Sequence, residues 1–286
     1  MTETSDPAFE FVKQLSIELA DDDFDLPTFP ETALQIQEAM RDPNVSIEAL
    51  SSIVLSEPML TARLMRLANS AMILRGGHEI TDIKVAISRL GLNMVQTAAV
   101  SLAANEAFKA PKGSLLNAHL AKVRKHSVKV CTLAYVLAKK VNSSCSPDEA
   151  MLAGLLHAIG KFYILARADA FPELLKDELA LEGLLDDWHT GVGRAIVEYW
   201  GFSEQIVDAV DEHEVIDRTR FGQADTTDFV IVANLIAKSN DKSNEEQIDL
   251  DEVPSLLRMK TDSEEIQKFI RESDAEINSM TQALAS

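Results

Sequence analysis

Five residues carry the chemistry this chain could do: His126, His157, His189, His213 and Asn234. His126 precedes Val130, Leu133, Ala134 and Leu137 at offsets of four, seven, eight and eleven, so a helix beginning there turns the imidazole to the same side as the apolar residues. His157 lies in MLAGLLHAIG, apolar on nearly every side, which predicts a central buried helix. His213 shares a face with Ile206, Ala209 and Val210. His189 precedes a glycine-containing turn into VGRAIVEYW, and Asn234 sits within the apolar run FVIVANLIA. A buried imidazole needs a hydrogen-bond partner or a metal ion. One inward histidine is ordinarily a satisfied core residue, whereas several on successive helices are explained most economically by a shared site. Imidazoles suit zinc or nickel.

The elements that must position these groups are helices. Hydrophobic spacing is helical nearly throughout, and no run of alternating β-branched residues is bounded by hairpin turns. The fold class is therefore all-α: two packed helical bundles, the second carrying the histidines, plus a C-terminal helical tail. Residues 1–25 form an acidic lead-in, with a helix over FEFVKQLSIELA and a charged break at DDDFD. Residues 26–110 form four or five short helices, and residues 116–240 form the second bundle. The tail, 241–286, is an acidic linker followed by one amphipathic helix over 255–286.

Local signals support these divisions. Ser146-Pro147-Asp148-Glu149 reads as a capping box with proline at the first helical position. Gly201 ends one helix, Ser203 caps the next, Asp262 with Glu265 starts another, and Pro58 sits where a missing donor is harmless. Met59, Leu60, Leu64 and Leu67 read as core, and Asn69-Ser70 as the end of their helix. Gly76-Gly77 marks a turn and no phosphate cradle, since no GxxxxGK[ST] or GxGxxG follows a strand. None of the serines lies in a GxSxG elbow.

Composition narrows the function classes. The chain has 286 residues, 46% hydrophobic and 6% aromatic, enough for a sizeable core. No uninterrupted apolar run approaches the ~18 residues of a membrane span, and the polar start MTETSDPAFE predicts no secretory leader, which together point to the cytoplasm. Cys131 and Cys145 have no metal-ligand spacing and read as reduced thiols. A net charge of −19 argues against nucleic-acid and anionic-membrane binding. Within that acidic chain, no acid lies between Glu106 and Asp148, while Lys109, Lys112, Lys122, Arg124, Lys125, Lys129, Lys139 and Lys140 do. This basic island reads first as a solvated helix face. Lys122, Arg124, Lys125 and Lys129 are its candidate contacts for a phosphate or an acidic partner, and the chain's own acidic tail is expected on or near 109–140.

The order His126, His157-Ala158, His189, His213, Asn234 resembles the HD superfamily of phosphohydrolases, where the corresponding positions read His, His-Asp, His, His and Asp. LPTFPETALQI, DPNVSIEALSSIVLSEPMLTARLMRLANSA and ITDIKVAISRLGLNMVQTAAV resemble, more narrowly, the HDOD (HD-related output) domain of bacterial signalling proteins. The similarity extends over about 26–240, with Leu-Ala-Asn-Ser at 67–70 and Ala-Ile-x-x-Leu-Gly at 86–91 in the family's order.

That resemblance implies a metal site from which two carboxylates are missing. In the superfamily, Asp of the His-Asp pair can bridge two ions and the last Asp completes the site. Ala158 offers no ligand and Asn234 only a neutral carbonyl. Two-metal phosphoester hydrolysis is therefore not expected, and neither is a metal or cofactor; the alternative is at most one zinc or nickel ion at His126, His157, His189 and His213. Glu212, Asp186 and Asp187 neighbour these histidines but read as surface acids, because adjacent helical positions diverge by about 100°. The expected function is a non-catalytic signalling module acting through protein partners or a small ligand, a nucleotide among the candidates. The alternatives are a mononuclear phosphohydrolase and a nucleotide receptor without turnover. Oligomeric state is left open.

Overall fold

The computed structural model describes residues 7–20, 29–70, 78–239 and 248–285. The DDDFD break, Gly76-Gly77 and most of the acidic linker lie outside the described residues. Helix α1 spans Pro7–Ala20. The first bundle comprises α2 (Glu31–Met40), α3 (Ile47–Leu55), α4 (Pro58–Ala68), α5 (Ile83–Leu90) and α6 (Leu92–Ala107). The second comprises α7 (Leu116–Lys140), α8 (Pro147–Leu156), α9 (Ile159–Ala168), α10 (Pro172–Lys176), α11 (Glu178–Tyr199), α12 (Glu204–Glu212) and α13 (Thr226–Ser239). A 3-10 turn, Leu250–Glu252, leads into α14 (Pro254–Met259), α15 (Ser263–Glu272) and α16 (Asp274–Ala285). Every described element is helical.

Side-chain caps start many of these helices. Ser46 accepts from the Ala49 amide, Asp82 from Lys84 and Val85, Ser146 from Glu149, and Asp262 from Glu265, each satisfying donors that have no partner within the helix. Gly91, at φ +82°, ends α5 and opens α6 across a 105° bend. Ser203 precedes α12 but its hydroxyl makes no capping bond.

Several elements depart from the sequence reading. His126 lies in the middle of the 25-residue α7, whose start is Leu116. The glycines after His189 do not make a turn, and α11 runs unbroken through Gly191 and Gly193. The tail is three helices: α14 ends at Lys260 in a left-handed conformation (φ 56°), and Ser273 closes α15. Met59 is 56% exposed, while Leu60, Leu64 and Leu67 are buried as expected.

Glycines set how closely the second bundle packs. A Cβ on Gly160 would stand 2.0 Å from the His189 carbonyl oxygen, and one on Gly193 would stand 2.9 Å from Val210 Cγ1. These positions let α9 press against α11 and α11 against α12. Gly154 does the same for α8 and α7, its Cβ site lying 3.0 Å from Cys131 Cα. The bundles join through one continuous core. Gln37 of α2 donates to the Trp200 and Gly201 carbonyls at 3.2 Å, and Phe29 packs on Trp200 with ring centroids 4.8 Å apart.

The C-terminal helices lie across both bundles. Helix α16 packs on α7 and α4, and Ser101 donates to the Leu284 carbonyl while accepting from buried Arg63. Glu276 and Glu272 meet Lys139 and Lys140 at 2.7 and 3.3 Å, the last two lysines of the basic island. Among the described residues, Pro147–Ala168 has the length and composition of a membrane span, and 83% of that window is buried inside the protein.

Candidate functional site

The four histidines and Asn234 converge from α7, the α8–α9 junction, α11, the end of α12 and α13. Ring centroids of His126 and His157 are 5.3 Å apart, those of His157 and His213 4.9 Å, and those of His189 and His213 5.1 Å. His157, His189 and His213 are essentially inaccessible, as is Asn234, while His126 is half-buried at the edge. Helix α8 ends at His157, and Ala158, buried and non-helical (φ −100°, ψ 17°), separates it from α9. The break aims His157 inward and puts only a methyl group beside it.

Hydrogen bonds fix the tautomers. The Nδ1 atoms of His157, His189 and His213 lie 2.7, 2.7 and 2.8 Å from the carbonyls of Gly154, Leu185 and Val210. Carbonyls only accept, so each Nδ1 carries the proton and each neutral ring turns a lone pair on Nε2 toward the pocket. His189 and His213 bring these Nε2 atoms within 3.1 Å of each other. His126 is the exception: its Nε2 donates to Asn234 Oδ1 at 2.9 Å.

Burial keeps the rings neutral. It lowers the pKa of His189 to about 2, aided by Lys161 and His213. Burial also lowers His213 to about 4 against the pull of Glu214, and it drives His157 well below the usual imidazole value. Two bare nitrogens at this distance repel unless a cation or a proton lies between them.

Glu214 is the residue of this pocket that sequence reasoning missed. It lies 3.7 Å from His189 Nε2 and 3.6 Å from His213 Nε2, and it accepts from Asn234 Nδ2 at 3.3 Å. Lys238 Nζ meets both of its oxygens at 2.7 Å. Burial opposes ionisation of Glu214, but His213 and Lys238 overcome it and hold its pKa at about 2. Helical periodicity could not find it, because α12 ends at Glu212 and Glu214 belongs to the turn that follows. The acids weighed from sequence face elsewhere. Glu212 pairs with Arg218, Asp186 with Lys161, and Asp187 is exposed.

The basic candidates spread along α7. Lys122 pairs with Glu182 at 2.9 Å, Lys125 is exposed, and Arg124 donates to the Phe108 carbonyl with its pKa lowered by burial. Lys129 reaches the Ala237 carbonyl on α13 at 2.9 Å.

As a donor set, the pocket does not fit two hard cations: Ala158 supplies no oxygen, and the Asn234 amide is committed to His126 and Glu214. It does fit one ion of borderline softness. His189, His213 and Glu214 offer ligand atoms within 4.8 Å of one another, and the Nδ1–H bonds to carbonyls orient the rings as ligating histidines require.

An all-helical body with a histidine pocket where successive helices meet agrees with the fold expected from the sequence. The sequence pattern of the HDOD domain matches residues 26–216. The chain belongs to the HDOD domain family. A solved protein of Shewanella amazonensis SB2B, provisionally named a metal-dependent phosphohydrolase, is 24% identical, with a TM-score of 0.77 over 97% of this chain and 99% of that one. An HDOD domain protein of unknown function from Geobacter sulfurreducens is also 24% identical, with a TM-score of 0.69 over 97% and 96% of the two chains. Such identities establish the fold alone. An uncharacterized protein of Treponema pallidum (strain Nichols) is 23% identical over 215 residues, 70% of this chain and 40% of that protein's length.

Proposed function

We propose that the chain is a non-hydrolytic regulatory module whose working unit is residues 26–240, acting through a protein partner or a small ligand. The donor set carries this reading. The bridging carboxylate is replaced by Ala158, the distal one by Asn234, and the surviving acid, Glu214, is neutralised by Lys238. A two-ion centre stabilises both the attacking and the leaving oxygen of a phosphoryl transfer, and among the described residues there is no second set of ligands to build one.

The pocket's remaining capacity is for one zinc or nickel ion held by His189, His213 and Glu214, with His157 beside them. When bound, such an ion would supply a Lewis-acid charge and tie α11 to the turn after α12. In this role the residues orient the ring nitrogens, exclude bulk water and keep the imidazoles unprotonated. Hydrolysis of bis(p-nitrophenyl) phosphate and of a panel of nucleotides by zinc- and nickel-loaded protein tests the assignment. Rates equal to those of Glu214→Gln and His189→Ala are expected. Turnover that both substitutions abolish would instead establish the second reading, a mononuclear phosphohydrolase, which the recovered carboxylate of Glu214 favours.

For the small ligand, a nucleotide is the candidate, with Lys129 and the neighbouring lysines of α7 meeting its phosphates. Thermal stabilisation by mono-, di- or cyclic nucleotides in the presence of chelator is the expected sign. Its absence across the panel would leave a protein partner as the effector.

A further inference from the structure

The turn that carries Glu214 is held down by the C-terminal segment at two separate points. The first is apolar: Ile216, two residues past Glu214, packs with Ile231 and Leu235 of α13 and with Leu250 and Val253 of the C-terminal segment. The second is polar. Arg258 of α14 donates from Nη1 to the Arg218 carbonyl at 3.0 Å, four residues past Glu214. The same guanidinium places Nε 3.1 and 3.0 Å from the two oxygens of Asp228, a carboxylate with no solvent exposure. Ser255 donates to Asp228 at 2.9 Å, and the Arg218 side chain joins Asp225, Glu212 and Asp228. The backbone amides of Asp225 and Asp228 each donate to the other's carboxylate at the start of α13, the helix that bears Asn234 and Lys238. The residues that hold Glu214 are thus tied, through Asp228 and Arg258, to a segment outside the histidine bundle.

We propose that the C-terminal segment 250–259 regulates the pocket by fixing the position of Glu214, with Arg258 as the positioning residue. This rests on the reading of Glu214 as a metal ligand. A partner that draws α14 away removes the anchor from the Arg218 carbonyl and uncovers Ile216, and the 213–218 turn carries Glu214 out of reach of His189 and His213. Site occupancy would thereby report whether the tail is docked.

Cobalt(II) binding, read by its visible d–d bands, and hydrogen exchange of the 213–218 amides test this together on the full chain. Arg258→Met leaves Asp228 buried without its main partner, so Asp228→Asn/Arg258→Met is compared as the variant that removes the charge along with the anchor. Ser255→Ala is the control, weakening the Asp228 cluster while leaving the bond to Arg218 intact. The expected result is about tenfold or greater loss of cobalt affinity in both Arg258 variants, wild-type affinity in Ser255→Ala, and faster exchange at Val215, Ile216 and Arg218 in the Arg258 variants alone. Wild-type exchange in the folded double variant, or equal loss of cobalt affinity in Ser255→Ala, would overturn the proposal. Failure of the wild type to take up cobalt would overturn the metal reading, and the exchange result would still decide whether Arg258 holds the turn.

Discussion

His189 and His213 face each other through nitrogens that both carry lone pairs, and the nearest anion, Glu214, is already shared with Lys238. An ion entering the site must compete with that ammonium for the carboxylate. Lys238→Met removes both the competitor and the repulsion, so zinc affinity should rise by about tenfold, ~1.4 kcal/mol; calorimetric titration measures it, and a fall would show that Lys238 holds Glu214 in its ligating position. His126 and His213 were legible as inward histidines because each shares a helical face with apolar residues, and His157 because its segment is apolar on nearly every side. Glu214 was not, because it acts from a turn, where no periodicity relates a residue to its neighbour.

Packing between helices decides whether those histidines meet at all. The Gly160 site leaves no room for a methyl group against the His189 carbonyl, so Gly160→Ala should cost about 3 kcal/mol or more as α9 and α11 separate. Urea denaturation of the variant gives the figure, and a cost below about 1 kcal/mol would mean the two helices adjust freely. The sequence reading placed a turn at the glycines following His189. In a packed bundle a glycine can instead serve close approach, and nothing local distinguishes the two uses.

The charge cluster at the head of α13 predicts a pH dependence. Burial works against ionisation of Asp228, but hydrogen bonds from Arg258, the Asp225 amide and Ser255 outweigh it and hold the pKa below the ordinary carboxylate value. A depressed folded pKa contributes stability that is fully present above the unfolded value, near 3.9, and that is lost as pH falls through the folded one. Asp228→Asn should therefore cost about 3 kcal/mol at pH 7, where it leaves Arg258 without its carboxylate, and progressively less below pH 4. Denaturation of both proteins across that range measures the difference, and a gap that persists unchanged at low pH would contradict the assignment.

Across the whole molecule, the two bundles share one core and the C-terminal helices bridge them. The all-helical class and the helix-rich segments were readable from spacing and caps. The tail reads as one helix over 255–286 even though Asp262 with Glu265 marks a start inside it; the stop at Ser273 carries no glycine or proline to announce it. Its ion pairs with α7 are partly solvated, so a Lys139–Glu276 double-mutant cycle should return less than about 1 kcal/mol. A larger coupling would mean that charge, more than the buried Ile266, Met280 and Leu284, docks the tail.

The central claim, one ion site without hydrolysis, is tested most directly by metal content of tag-free protein, measured by mass spectrometry for the wild type, His189→Ala and Glu214→Gln. After equilibration with zinc and removal of excess, one equivalent in the wild type and none in either variant is predicted. Two equivalents in the wild type would contradict the claim and restore a binuclear centre. No metal in folded wild type would leave the histidines as core residues.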